Sequence, residues 1–304
     1  MITLLLTCIL SPVMSTFKLY LRAILINLCI FAVPVIKAQV NVVTSIRPLQ
    51  LIAQAIIEDR GQVSSVVGIQ DSPHDYLLTP SDRIELERAD LLLWIGPEFE
   101  IQLTDIYLSL AESKPIITAT KLSELSLLNY SSNEIDPHLW LSSSNGIAIA
   151  KALSKQLQEI DNANQKQYES SLERFERDIN NTHSEILNMI ADLQDQQYLV
   201  FHSAYEYFRR DYDLERGLAL VTNPEVQPSM RELISFRREL KSFSPTCILL
   251  ERDSNRDLAD MALEAREIKI VTSDIQGFQI GGGPSAYNQL LLGVAKSFQS
   301  CLSN

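Results

Sequence analysis

Histidine is scarce in this chain. Its 304 residues include only His74, His138, His183 and His202, and no two of these have H-x-x-H-type spacing. A metal site built on one short motif is therefore excluded, and any such site must be gathered from separate segments. Basic residues are outnumbered: 26 Lys and Arg stand against 38 Asp and Glu, for a net charge of −12. That balance argues against partnership with nucleic acid or anionic lipid. The glycine run Gly281-Gly282-Gly283 has no strand before it and no Walker lysine after it, so it reads as a flexible turn rather than a phosphate cradle. Residues 161–196 contain neither Gly nor Pro, and residues 1–38 contain no acid.

The acid-free start is informative. Lys18 and Arg22 precede an apolar run over 23–36, interrupted by Asn27 and Pro34, and Ala38 follows. A basic region, an apolar region and a small residue make a secretory signal peptide. The run is short for a membrane span, and Lys37 closes it. Met14 would serve equally well as a start, and the residues around Cys29 lack the small side chains of a lipoprotein site. The expectation is a soluble exported protein beginning near Gln39, of about 266 residues, enough for two domains. Of the four cysteines, Cys8 and Cys29 leave with the leader, and Cys247 and Cys301 remain. An even pair in an exported chain is most simply a disulfide, with two buried thiols as the alternative.

The absence of Gly and Pro over 161–196 lets one helix run through. Tyr168, Leu172, Phe175, Ile179, Thr182, Ile186, Met189 and Leu193 alternate four and three apart, an apolar seam broken by Thr182. On either side, short apolar strands alternate with helices. Strands are expected at 40–45, 63–67, 91–95 and 116–118, then at 198–201, 218–221, 247–250 and 268–271, with helices between them. Continuous apolar strands of this kind form parallel sheets covered on both faces. The polar stretch 121–136 reads as a mobile surface loop. The fold expected is α/β: two (β/α)4-type lobes, 39–160 and 197–304, joined by one long rigid helix over 161–196. Ligands of such lobes bind in the cleft between them, near the carboxyl ends of strands.

Three of the histidines share that context. His74 follows a strand, His138 follows the polar stretch, and His202 ends a strand of the other lobe. Three neutral imidazoles can hold Zn²⁺ and leave a fourth position open. His183 sits mid-helix beside the seam and is set aside as a packing residue. Trp94 and Trp140 flank the expected site and are read as packing. Glu251 ends a strand, where it could approach the cleft, and is read in preference as a capping or salt-bridge residue.

The surrounding motifs sharpen this reading. Asp71-Ser72-Pro73-His74-Asp75-Tyr76, then Trp94-Ile95-Gly96-Pro97-Glu98, Asp136-Pro137-His138-Leu139-Trp140, Val200-Phe201-His202-Ser203-Ala204-Tyr205 and Asn223-Pro224-Glu225 occur in that order. Together they resemble the zinc-uptake (ZnuA-type) periplasmic substrate-binding proteins of ABC transporters, over essentially the whole mature chain. The resemblance implies two α/β lobes joined by a long helix, with His74, His138 and His202 as metal ligands. It also implies a lobe-internal disulfide between Cys247 and Cys301. Asp274 holds the position of the family's late acidic residue, as a fourth ligand or an acceptor for an imidazole N–H; by its sequence context alone it is equally a turn residue before Gly277. Two departures stand out: Pro73 replaces a Glu often found before the first histidine, and the family's histidine-rich loop would fall in 121–136, which has none.

The function implied is capture of Zn²⁺ in the periplasm by a monomer, and delivery to a membrane permease driven by a cytoplasmic ATPase. The manganese branch of the family has a carboxylate where His202 stands, and a third imidazole favours Zn²⁺ over Mn²⁺. A manganese-binding protein of the same transporter class is the alternative. A zinc hydrolase would need a general base beside the metal, which no spacing here supplies, and an adhesin role is disfavoured by the missing lipid anchor.

Overall fold

The computed structural model describes residues 39–68, 76–131, 134–221, 227–264 and 266–303. The expected leader at 1–38 and the segment bearing His74 lie outside the described residues. In the amino-terminal lobe, β1 (Val40–Thr44), α1 (Arg47–Ile57), β2 (Gly61–Ser65), α2 (Pro80–Arg88), β3 (Leu91–Trp94), α3 (Thr104–Leu110) and β4 (Ile116–Thr118) follow one another. A hairpin, β5 (Asn129–Ser131) and β6 (Glu134–Ile135), leads to α4 (Ser143–Ile160) and the long α5 (Gln165–Ile190). The carboxyl-terminal lobe contains β7 (Leu199–His202), α6 (Glu206–Tyr212), β8 (Leu218–Val221), α7 (Met230–Leu240), β9 (Cys247–Glu251), α8 (Arg256–Leu263), β10 (Lys269–Ser273) and α9 (Ala286–Leu302). No helix among the described residues is long and apolar enough to cross a membrane.

Both sheets are parallel. Their strand orders, β2-β1-β3-β4 and β10-β9-β7-β8, are one topology when the strands of each lobe are counted in chain order. In each lobe the order reverses between the first and third strands, and in such sheets that is where a crevice opens at the carboxyl ends.

Strand alternation sorts the side chains into layers. Leu91 and Leu93 of β3 face a central core, while Leu92 and Trp94 face an outer one with α2 and α3. In the other lobe, Val200, Cys247 and Leu249 face the central core, and Leu199, Phe201, Ile248 and Leu250 face an outer core with α7 and α8. The central core is shared: α1, α4, α5, α6 and α9 all contribute to it. The long helix is thus the middle layer of the molecule rather than a bare strut. At about 1.5 Å per residue its 26 residues span about 39 Å.

Local sequence chemistry sets the helix starts. Pro48 opens α1 in its first turn, and Thr79 and Asp82 make a reciprocal capping box on α2. Ser229 and Glu232 repeat that box on α7. A disulfide joins Cys247 of β9 to Cys301 of α9. Closing a loop of 54 residues contributes about 4 kcal/mol in the chain-entropy description.

The polar stretch 121–136 differs from its reading as a mobile loop. It contains the β5–β6 hairpin, and Leu122, Leu125, Leu127 and Leu128 pack against the central core. Those four leucines, spread among serines and acids without strand or helix period, are what holds it down.

Candidate metal centre

Parity along the strands builds the centre. His202 is two residues past Val200 on β7, and Glu251 is two past Leu249 on β9, so both project to the central, inter-lobe face. Since β7 and β9 are paired neighbours, both side chains sit at the carboxyl-end switch point of the second lobe. His138 arrives from the other lobe, where the β5–β6 hairpin ends and a short 3-10 turn, Leu139–Leu141, begins.

The two imidazoles meet edge to edge: His138 Nε2 lies 3.3 Å from His202 Nε2. Each ring is held from behind by a carboxylate. His138 Nδ1 is 2.9 Å from Asp136 Oδ1, which also accepts the His138 backbone N–H at 3.0 Å. His202 Nδ1 is 3.2 Å from Glu251 Oε2, and Ser254 Oγ donates to the same oxygen at 2.8 Å. A carboxylate at Nδ1 favours a proton there, which leaves Nε2 as the nitrogen of the neutral ring that can bind a metal. Nitrogens bound to one tetrahedral Zn²⁺ at about 2.0–2.1 Å stand roughly 3.3–3.4 Å apart, so the observed spacing is that of two ligands of one zinc.

Burial makes the arrangement consequential, since His138 is 1% exposed and His202 is 4%. Burial pushes His138 below the ordinary histidine range, against the pull of Asp136. Burial opposes the charged form of His202 too, but the facing Glu251 outweighs it and raises this ring above that range. Glu251, in turn, is held below the carboxylate range despite its own burial, by His202 and by the bond from Ser254. The centre is dry on one side: His138 packs at 5.2 Å between ring centroids from the fully buried Trp140, and Phe99 packs against both.

The other residues singled out from sequence fall as follows. Asp274 lies one residue past β10, whose Ser273 is in register with Glu251. Its Oδ1 accepts the N–H groups of Gly277 and Phe278, and its Oδ2 accepts that of Gln279. Oδ1 is thereby filled, while Oδ2 retains one lone pair. Gly277 adopts φ +73°, where any side chain would be strained and would crowd Leu51 and Leu290. His183 packs against Tyr212 with ring centroids 4.9 Å apart and the planes tilted by 33°, and Trp94 stacks on Tyr107 in the outer core of its own lobe. His74 lies outside the described residues, and among these no group of three or more His, Cys, Asp or Glu is poised to hold a metal.

Asp136 was not assigned a role from sequence, although the Asp-Pro-His spacing carries the signal, since an acid two residues before a ligand can bond back to its ring. Glu251 is the salt-bridge residue it was read as, but its partner His202 became legible only with the strand order, which places β9 beside β7.

The chain is similar to known proteins over nearly all of the described residues. A family model described as zinc-uptake complex component A, periplasmic, matches residues 42–301. The high-affinity zinc uptake system protein ZnuA of Yersinia pestis is 29% identical over 310 residues, covering 92% of this chain and 97% of its own. A crystal structure of ZnuA superposes with a TM-score of 0.77 at 23% identity, covering 87% of this chain and all (100%) of that one. The periplasmic zinc binding protein TroA from Treponema pallidum does so with a TM-score of 0.79 at 17% identity, covering 88% and 100%. At these identities the structures establish the shared fold.

Proposed function

The chain belongs to the periplasmic zinc-uptake component A family, and from that membership and the paired imidazoles we propose that it captures Zn²⁺ between its lobes for a transporter. It works in the periplasm, exported by the leader at 1–38 and acting as a monomer. Its cargo passes to a membrane permease driven by a cytoplasmic ATPase. His138 and His202 are two ligands, His74 supplies the third, and the fourth position goes to Asp274 Oδ2 or to water.

One observation carries this reading: two buried Nε2 atoms 3.3 Å apart, each with a carboxylate fixing the proton on the far nitrogen. Imidazole donors favour Zn²⁺ over Mn²⁺, which prefers carboxylate and carbonyl oxygen. The same carboxylates argue for capture rather than turnover. A hydrolase needs a general base aimed at metal-bound water, and Asp136 and Glu251 are aimed at imidazole nitrogens instead.

The test is metal analysis and competition on the purified mature protein, Zn²⁺ against Mn²⁺. Zinc should displace manganese stoichiometrically, and a preference for Mn²⁺ would overturn the argument from the imidazole pair. Loading should also weaken as pH falls, beginning above the ordinary histidine range for His202 and only below it for His138, by about tenfold per pH unit for each imidazole proton displaced, because metal and proton compete for Nε2.

A further inference from the structure

We propose that Tyr207 is a positioning residue for the metal, fixing His138 from the opposite lobe; this rests on the zinc reading of the paired imidazoles. Tyr207 lies in the first turn of α6, five residues after His202, and is fully buried. Its phenol oxygen accepts the N–H of Leu128 at 2.9 Å and donates to the carbonyl of Asp136 at 2.9 Å. Leu128 and Asp136 are themselves joined, Asp136 N donating to Leu128 O at 2.8 Å, where the β5–β6 hairpin closes. A single hydroxyl therefore clamps both ends of the hairpin that delivers His138.

The clamp reaches the ring in two bonds. Tyr207 holds the Asp136 backbone, and the Asp136 carboxylate holds both the backbone N–H and Nδ1 of His138. The far side of the same segment is held by the second lobe as well. Trp140 Nε1 donates to Ile275 O at 2.9 Å, and Tyr287 Oη donates to Trp140 O at 2.6 Å. His138 belongs by chain order to the first lobe, yet its segment is bonded to α6, α9 and the turn after β10. The stretch 202–207 thus contributes one ligand and pins the other, so the pair of imidazoles forms one rigid platform before metal arrives. A ligand held in place binds more tightly because less ordering accompanies capture.

The experiment is a double-mutant cycle read by zinc competition against a chromophoric chelator, on the mature chain. Tyr207→Phe should lower zinc affinity about tenfold, the lower end of the roughly 10–100-fold range of outer-shell partners. In a His138→Ala background the same substitution should change affinity less than about twofold, because the ring it positions is gone. An unchanged affinity in Tyr207→Phe, or an undiminished tenfold loss in the His138→Ala background, would overturn the proposal. If His138→Ala itself leaves zinc affinity intact, the metal-site reading fails on its own account. Should Tyr207→Phe not fold, amide hydrogen exchange of the unaltered metal-free protein decides. Residues 138–142 should be protected as well as β7; exchange at open-loop rates until zinc is added would overturn the proposal.

Discussion

At the scale of single residues, the centre separates histidines by what stands behind them. His202 has Glu251 at its Nδ1 and His138 at its Nε2, whereas His183 has the face of Tyr212. His202→Ala should lower zinc affinity by more than a hundredfold, above the roughly 10–100-fold of an outer-shell partner, and His183→Ala by less than twofold. Equal losses in a calorimetric titration would reject the assignment. A second buried acid acts on stability instead. Glu100 is 1% exposed, and burial pushes its carboxyl from 4.5 up to about 7, although the Gly96 N–H donates to it. The folded protein therefore holds this proton to higher pH than the unfolded chain does. The stabilisation is complete below about 4.5 and is lost as pH rises through about 7. At about 1.36 kcal/mol for each pH unit, the loss is on the order of 3 kcal/mol. Glu100→Gln should escape it. In denaturant unfolding of the metal-free protein, the variant should gain on the parent by about that amount between pH 4.5 and pH 8. A constant difference across that range would show that Glu100 ionises normally.

At the scale of elements, the long helix shows where periodicity informs and where it misleads. The sequence reading placed a strict four-three seam along it. The side chains that are buried are Tyr168, Ser171, Phe175, Ile179, Thr182, Ile186 and Ile190, a mean spacing of about 3.7. A straight helix drifts about 20° per heptad against a 3.5 repeat, so the seam slides from Met189 to Ile190, and Ser171 turns inward beside Leu172. Thr182, the break in the seam, is a paired position: its Oγ1 accepts from Asn288 Nδ2 of α9 at 2.8 Å, with both residues buried. Thr182→Val should destabilise the protein by about 1–3 kcal/mol by stranding the Asn288 amide, although it perfects the apolar pattern. Thr182→Val with Asn288→Leu should recover most of that in thermal unfolding, and a double variant no better than the single one would sink the explanation. The strand and helix pattern was otherwise plain in the sequence, because most strands are short apolar runs and most helices open on Pro, Thr or Ser; β2, Gly-Gln-Val-Ser-Ser, is the polar exception, and it lies at Gly61–Ser65 where 63–67 was expected. The β5–β6 hairpin was not, since its strands of three and two residues carry too few alternations to register. Neither was the convergence of His202 with Glu251, which depends on strand order.

At the scale of the whole molecule, the question is how two lobes release what they enclose. A hinge would have to break the bonds between them. Asp211 of α6 accepts from Ser142 Oγ at 2.7 Å and from the Ser143 N–H at 3.0 Å, so the second lobe caps the first turn of α4. Arg210 bonds Ser126, Tyr287 bonds Trp140, and Arg47 of α1 donates to Ile280 O at 2.7 Å across the cleft. Beneath them runs one apolar core common to both lobes, with α5 at its middle. Rigid-body opening would expose that core, at a cost of about 25 cal/mol for each Å² of apolar surface uncovered. Loading and release are therefore expected to proceed with the lobes nearly fixed, through local movement at the rim. Small-angle scattering measures this directly. A compact body of about 265 residues has a radius of gyration near 18 Å, and the zinc-loaded and metal-free proteins should differ by less than about 1 Å. A larger contraction on adding zinc would mean that the bonds from Asp211, Tyr287 and Arg47 break in the metal-free state, and that α5 acts as a hinge rather than as the centre of a shared core.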